Sequence, residues 1–316
     1  MGDNVSTTPV RVAYILGAAR SGSTIFSQLL GEVPGVFFAG EVIHLWDQSL
    51  LLGDPCGCSE DVRDCPVWSQ VLHRALPDLT AEDVHEMLAI RNAEVRSHAL
   101  LAQRLPAVAR PMSQDLARYR RAHERLFSAM RDVTGADIIV DSSKNAAHAA
   151  VLGASPRLDV TVIHLVRDPR ATAFSWGRSV EGLGRLSPAR ASLQWDVRNA
   201  VAASATSRLG GQYVRIHYED FVADPERTIV GVLEALGDVA APSFGDHGGH
   251  FALSPNHSLH GNPRRFESGP VTIELDDEWT RAMGVERHLV TALTLPLLLR
   301  YGYPLRPRAA RRRARS

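Results

Sequence analysis

Residues 17–24 read GAARSGST, and the glycines of Gly17-x-x-x-x-Gly22 have the spacing of a loop that wraps a phosphate. Thr24 occupies the position of the hydroxyl that follows the lysine in nucleotide-hydrolysing loops of this kind. The lysine itself is absent: Ser23 stands in its place, and the positive charge lies inside the loop on Arg20. Backbone N–H groups of such a loop, with the N-terminus of the helix that follows, still make an anion nest. The pattern therefore suits a phosphate-like group and not the hydrolysis of a nucleoside triphosphate. Elsewhere Glu41 lies in FFAGEVIHLW with His44 three residues on, where a helix would put both on one face. Glu41 read blandly is a helix N-terminal carboxylate with only a dipole role. Lys144 is the one lysine among 35 basic residues, which suggests that a guanidinium would not serve at its position.

These residues need elements to carry them. Residues 10–16 are a largely apolar run entering the Gly/Ser-rich loop, and residues 25–30 continue with apolar side chains at helical spacing, so strand, loop and helix follow one another. Further strands are expected at 137–140, 160–166 and 213–217, each followed by a helix, at 145–152, 170–178 and 225–236. Arg167 falls at a strand end, and Ser175 lies eight residues later inside the next helix. Strands alternating with helices imply an α/β fold with a mainly parallel sheet covered on both faces. Residues 48–133 break the pattern and read as a helical insertion, with Arg-rich helical periodicity from 80 to 130. A helix at 188–208, a Gly/His/Pro-rich segment at 241–270 and a helix ending near Arg300 complete the domain, assigned to residues 1–305. Residues 306–316, with six arginines, read as a solvated, disordered tail.

Composition excludes several classes. The 316 residues carry 35 basic and 35 acidic side chains, a net charge of zero, which argues against nucleic-acid binding over a broad basic face. With 45% hydrophobic residues the chain can build a sizeable core. No apolar run reaches the ~20 residues of a membrane span and no export signal opens the chain, so a cytoplasmic protein is expected, and the Asn256-His257-Ser258 sequon is set aside. The Arg and Ala bias suggests a bacterial genome. Cys56, Cys58 and Cys65 could give three ligands to zinc, but no fourth Cys or His follows at finger spacing and one disulfide would leave an odd thiol. The expectation is structural or incidental thiols, with no metal.

The loop at 17–24 and the segment HLVRDPRATAFSW at 164–176, in this order and on these elements, resemble the PAPS-dependent sulfotransferases, P-loop enzymes that use 3′-phosphoadenosine 5′-phosphosulfate as donor. The resemblance covers most of residues 12–303. It implies a three-layer P-loop fold and in-line transfer of a sulfonate to a hydroxyl of a small-molecule, sugar or lipid acceptor, with 3′,5′-ADP as product and no metal required. It assigns Arg20, Ser21, Gly22, Ser23 and Thr24 to the 5′-phosphosulfate, Arg167 and Ser175 to the 3′-phosphate, and Tyr218, in Tyr218-Glu219-Asp220, to the adenine. A late basic loop at 254–266 assigns Arg265, and with less weight Arg264, to the 3′-phosphate.

The RSGS form of the loop is similar to the carbohydrate and tyrosylprotein branches, whereas CGCSEDVRDCPVW resembles bacterial members of unassigned acceptor. Small-molecule members place a base histidine two residues after the lysine equivalent to Lys144; Ala146 stands there in this chain. The carbohydrate and tyrosylprotein branches place a base glutamate just after the second short strand, so the resemblance implies Glu41 as the base, with His44 the alternative, and Arg20 and Lys144 as the cations that meet charge developing at sulfur. A P-loop kinase and a non-catalytic nucleotide-binding regulator are the alternatives. The acceptor and the oligomeric state are not readable from these motifs.

Overall fold

The computed structural model describes residues 8–97, 112–178, 184–209, 213–237 and 250–306. Its centre is a five-stranded, wholly parallel sheet ordered β2-β3-β1-β4-β5, from β1 (Val10–Gly17), β2 (Val36–Gly40), β3 (Ile138–Asp141), β4 (Leu158–Val166) and β5 (Tyr213–His217). The sequence VRVAYILG of β1 is apolar almost throughout because this central strand is covered on both faces. Its side chains alternate between two cores. Val10, Val12, Tyr14 and Leu16 join one, and Ala13 and Ile15 join the other.

The second core is closed by α1 (Ser23–Gly31), α8 (Tyr218–Ala223) and α9 (Pro225–Ala235), through Phe26, Leu29, Phe221, Ile229 and Leu233. The first is closed by the insertion between β2 and β3, with α2 (Trp68–Ala75), α3 (Ala81–Glu94) and α4 (Gln114–Thr134), and by α5 (Ala146–Gly153). Among the described residues, the helical periodicity expected from 80 to 130 is two helices. Thr80 and Asp83 form a capping box at the start of α3, Ser113 caps α4, and the Ser113 hydroxyl donates to the Glu94 carboxylate at the end of α3. Helices α6 (Pro169–Gly177) and α7 (Pro188–Leu209) connect β4 to β5.

The segment read as a Gly/His/Pro-rich stretch contains an antiparallel hairpin, β6 (His250–Leu253) with β7 (Gly269–Thr272), and a 3-10 turn, Pro263–Phe266. Then follow α10 (Trp279–Ala282) and α11 (Glu286–Arg300). Arg306 is described, while the tail arginines from Arg308 on lie outside the described residues. No helix among the described residues is long and apolar enough to cross a membrane.

Candidate functional site

At the carboxyl ends of the parallel strands, where open α/β sheets bind ligands, lies a cleft of about 860 Å³. Its lining includes Arg20, Gly22, Ser23, Thr24, Glu41, His44, Lys144, Arg167, Ser175, Tyr218, Arg264 and Arg265, so the residues expected to bind the donor or to act on the acceptor meet in one place, apart from Ser21. Ser21 is buried just behind it.

The glycine loop has the conformation its residues imply. Gly17 has φ 146° and a Cβ there would stand 2.3 Å from the Leu165 carbonyl oxygen. Gly22, at φ 85°, would put a Cβ 2.2 Å from the Tyr218 ring. Both positions thus demand glycine for left-handed backbone and for close approach. Gly22 is also the N-cap of α1 and offers no side-chain cap, so the first amides of that helix are left for another acceptor. Arg20 itself adopts φ 69°, in the left-handed region. Its guanidinium donates to the Ser175 carbonyl at 3.2 Å and lies over the Trp176 ring. Burial, then Arg167 and Arg178 nearby, pull its pKa below the ordinary arginine value.

Arg167, 7% exposed, ends β4. It donates to the Arg20 carbonyl at 3.2 Å and packs its guanidinium over Tyr218, 4.6 Å from the ring centre. The Trp195 indole N–H holds the Arg167 carbonyl at 2.9 Å. The next residue, Asp168, is fixed by a 2.7 Å ion pair with Arg170, which in turn donates to the carbonyls of Pro304 and Leu305. Arg20 Nε, Arg167 Nε and Ser21 Oγ are buried without a hydrogen-bond partner. Orphaned donors are costly in a folded protein, and two of these side chains, Arg20 and Arg167, also line the cleft, where an anion would meet their charge.

Across the cleft, Glu41 and Lys144 meet. Lys144 follows β3 at φ 54°, and its Nζ donates to Glu41 Oε1 at 2.5 Å and to the Ser142 carbonyl at 2.8 Å. Glu41 stands at the N-cap of the short 3-10 turn Val42–His44 and makes no side-chain cap to it. Its backbone is pinned instead, through an N–H donated to the Leu259 carbonyl at 2.8 Å. Burial alone would push its carboxyl up; the Lys144 ammonium, then His44 and His260, outweigh that and hold it below the usual carboxylate range. His44 Nε2 is 3.8 Å from Glu41 Oε2, its Nδ1 is 3.2 Å from Asp47, and Arg91 bridges to Asp47 at 2.8 Å. Burial would raise the Asp47 carboxyl, but hydrogen bonds from His44 and Arg91 depress it strongly. His44 is thus an oriented ring standing beside the carboxylate.

The late basic loop divides. Arg265, 3% exposed, is committed to Asp54 at 2.9 Å and the Pro55 carbonyl at 3.0 Å. Arg264 is the more open and pairs with Glu267 at 3.1 Å; burial raises the pKa of the Tyr218 phenol nearby, opposed chiefly by Arg167 and least by Arg264. Three residues that the motifs did not reveal also line the site: Arg91, Arg198 and His260. Burial lowers the Arg198 pKa while the Glu41 charge opposes that, so the two side chains share one electrostatic neighbourhood. Arg198 sits on a helix whose arginines look alike in a chain this rich in arginine, and nothing local distinguishes it.

A family model described as "Sulfotransferase family" matches residues 13–239. The carbohydrate sulfotransferase 2 of Mus musculus and that of Homo sapiens are each 25% identical over 293 residues, which cover 74% of this chain and 54% of the relative. The chain thus spans about half the length of the curated relatives it matches. Among solved structures, a sulfotransferase domain from the curacin biosynthetic pathway shares the fold with a TM-score of 0.54 at 18% identity, over 94% of this chain and 98% of that one.

Proposed function

Because the chain belongs to the sulfotransferase family, we propose that it moves a sulfonate from 3′-phosphoadenosine 5′-phosphosulfate to a hydroxyl of a small-molecule, sugar or lipid acceptor. The observation that carries this reading is the meeting in one cleft of two cations with orphaned donors, Arg20 and Arg167, and the Glu41–Lys144 pair. When bound, the donor supplies an electrophilic sulfur with an adenosine phosphate as leaving group.

In this scheme Ser21–Thr24 hold the 5′-phosphosulfate on the open amides of α1, and Arg20 neutralises the bridging oxygen as charge builds on it. Arg167 and Ser175 hold the 3′-phosphate, Tyr218 flanks the adenine, and the loop carrying Arg264 and Arg265 covers that end. Glu41 takes the proton of the acceptor hydroxyl while its oxygen bonds to sulfur and the bridging S–O bond breaks in line. Lys144 keeps Glu41 ionised and in position, and its ammonium lies where a sulfonate oxygen would pass. The domain carrying these steps is residues 1–305.

Ser23 in place of the lysine disfavours the ATP-dependent kinase reading, since no side chain there reaches a γ-phosphate. The test is calorimetric titration with 3′,5′-ADP and with ATP, followed by a screen of hydroxyl acceptors with labelled donor. Tight binding of 3′,5′-ADP without magnesium and transfer to any hydroxyl support the proposal. Binding of ATP in preference to 3′,5′-ADP refutes it.

A further inference from the structure

Outside the cleft, the three cysteines that the sequence left as incidental thiols are joined by a histidine from the far end of the chain. The sulfurs of Cys56, Cys58 and Cys65 and a ring nitrogen of His257 all lie within 4.8 Å of one another. Cys56 Sγ and Cys65 Sγ are 3.6 Å apart, and His257 Nδ1 stands 3.2 Å from Cys65 Sγ and 3.9 Å from Cys56 Sγ. A tetrahedron with Zn–S bonds near 2.3 Å and a Zn–N bond near 2.05 Å has edges of about 3.8 Å between sulfurs and about 3.6 Å between sulfur and nitrogen. The observed separations scatter around those edges. From this geometry we propose that Cys56, Cys58, Cys65 and His257 form a closed structural Cys3His site for a zinc ion.

The surroundings are built as such sites are. Cys56 begins a tight turn closed by the Ser59 N–H on the Cys56 carbonyl, with Ser59 at φ 72°, which brings Cys58 back beside Cys56. The backbone N–H of Trp68 points to Cys65 Sγ at 3.5 Å, and the Trp68 indole donates to the His257 carbonyl at 2.6 Å, fixing the residue that supplies the nitrogen. Gly57 donates to the Ser258 carbonyl at 2.9 Å and lies so close to Asn256 that a Cβ would come within 2.3 Å of its side-chain oxygen. On binding, the three thiols each give a proton to solvent and the imidazole binds neutral, so three thiolates and a dication leave one net negative charge.

The site has a purpose in the fold. It fastens the segment before α2 to the segment that carries Leu259, whose backbone pairs with Ala39 and Glu41, and His260, which with Arg265 is held by Asp54. A zinc ion there would tie together two stretches that line the cleft, one through Asp54 and the other through His260 and Arg265, without touching the reacting atoms.

Elemental analysis of the full chain, purified under reducing conditions, is expected to find one zinc ion per chain that survives gel filtration. The cobalt-substituted protein should show thiolate-to-cobalt charge transfer and the intense visible bands of tetrahedral cobalt. Cys58→Ser and His257→Asn should each lose most of the metal and the cobalt bands, while 3′,5′-ADP binding by whatever remains folded keeps this test separate from that of the proposed activity. The wild-type measurement stands even if a variant fails to fold. A wild-type chain that takes up no zinc or cobalt under anaerobic reduction overturns the proposal. So does a native chain with Cys56 and Cys65 joined as a disulfide and no metal, or full metal content in both variants.

Discussion

Replacing Glu41 by Gln keeps the shape of the side chain and most of its hydrogen bonding but removes the proton acceptor. General-base catalysis is worth about 100-fold to 10,000-fold in rate. The structure chooses the lower end: with Lys144 at 2.5 Å and His44 at 3.8 Å, the carboxylate is held below its ordinary pKa and is a correspondingly weaker base. Turnover of Glu41→Gln should therefore fall by about 100-fold, or about 2.7 kcal/mol in the barrier. His44 acts on the reaction only through a partly exposed contact with Glu41, 30% open on the histidine side. Such contacts contribute about 0–1 kcal/mol, so His44→Asn should slow turnover by a factor of about five at most. The assay is initial rate at saturating donor across a series of hydroxyl acceptors, with 3′,5′-ADP titration as control. An acidic phenol needs less help losing its proton than a sugar alcohol, so the Glu41→Gln defect should shrink as acceptor acidity rises. The reverse ranking, with His44→Asn nearly inactive and Glu41→Gln close to wild type, would move the base to His44.

Other perturbations follow from the same contacts. Arg167→Ala and Ser175→Ala should weaken 3′,5′-ADP binding, by about 1.5–3 and about 0.5–1.5 kcal/mol, because a charged partner matters more than a neutral one; equal affinity for all three proteins in calorimetry would remove both from the 3′-phosphate. Gly22→Ala must move the Tyr218 ring and strain a left-handed backbone, at about 1–3 kcal/mol, read as a lower melting temperature together with weaker 3′,5′-ADP binding. Lys144→Met leaves burial as the leading influence on Glu41, so its carboxyl rises and the acidic limb of the pH–rate profile moves to higher pH, costing most in mildly acidic buffer. Lys144→Arg keeps the charge and should leave that limb in place while lowering turnover, since a planar fork cannot reproduce a point donor.

The strand, loop and helix around Gly17–Gly22 could be read directly, because each signal is local: an apolar run, then glycines where left-handed backbone is needed, then a helical repeat. Helices α6, α7 and α9 fall within a residue or so of their expected bounds for the same reason, with Pro169, Pro188 and Pro225 marking their starts. The hairpin of β6 and β7 was hidden, since HFAL and GPVT carry no clean alternation. The order β2-β3-β1-β4-β5 was hidden too: parallel strands reach their neighbours through crossovers of any length, so adjacency in sequence does not set adjacency in the sheet.

The chemistry divides along the same line. Sequence alone determined that Arg20, a glycine loop and a helix N-terminus would stand together, since the atoms concerned are a few residues apart. Only the folded chain decided what happens to Glu41, whose charge depends on Lys144 and His260 arriving from two distant segments beside its near neighbour His44. Likewise it alone brought His257 to Cys56, Cys58 and Cys65, across nearly two hundred residues. A side chain's spacing along the chain records its backbone geometry; its protonation, its partners and its ligands depend on which buried neighbours share its solvent-poor surroundings, and those are set by tertiary packing.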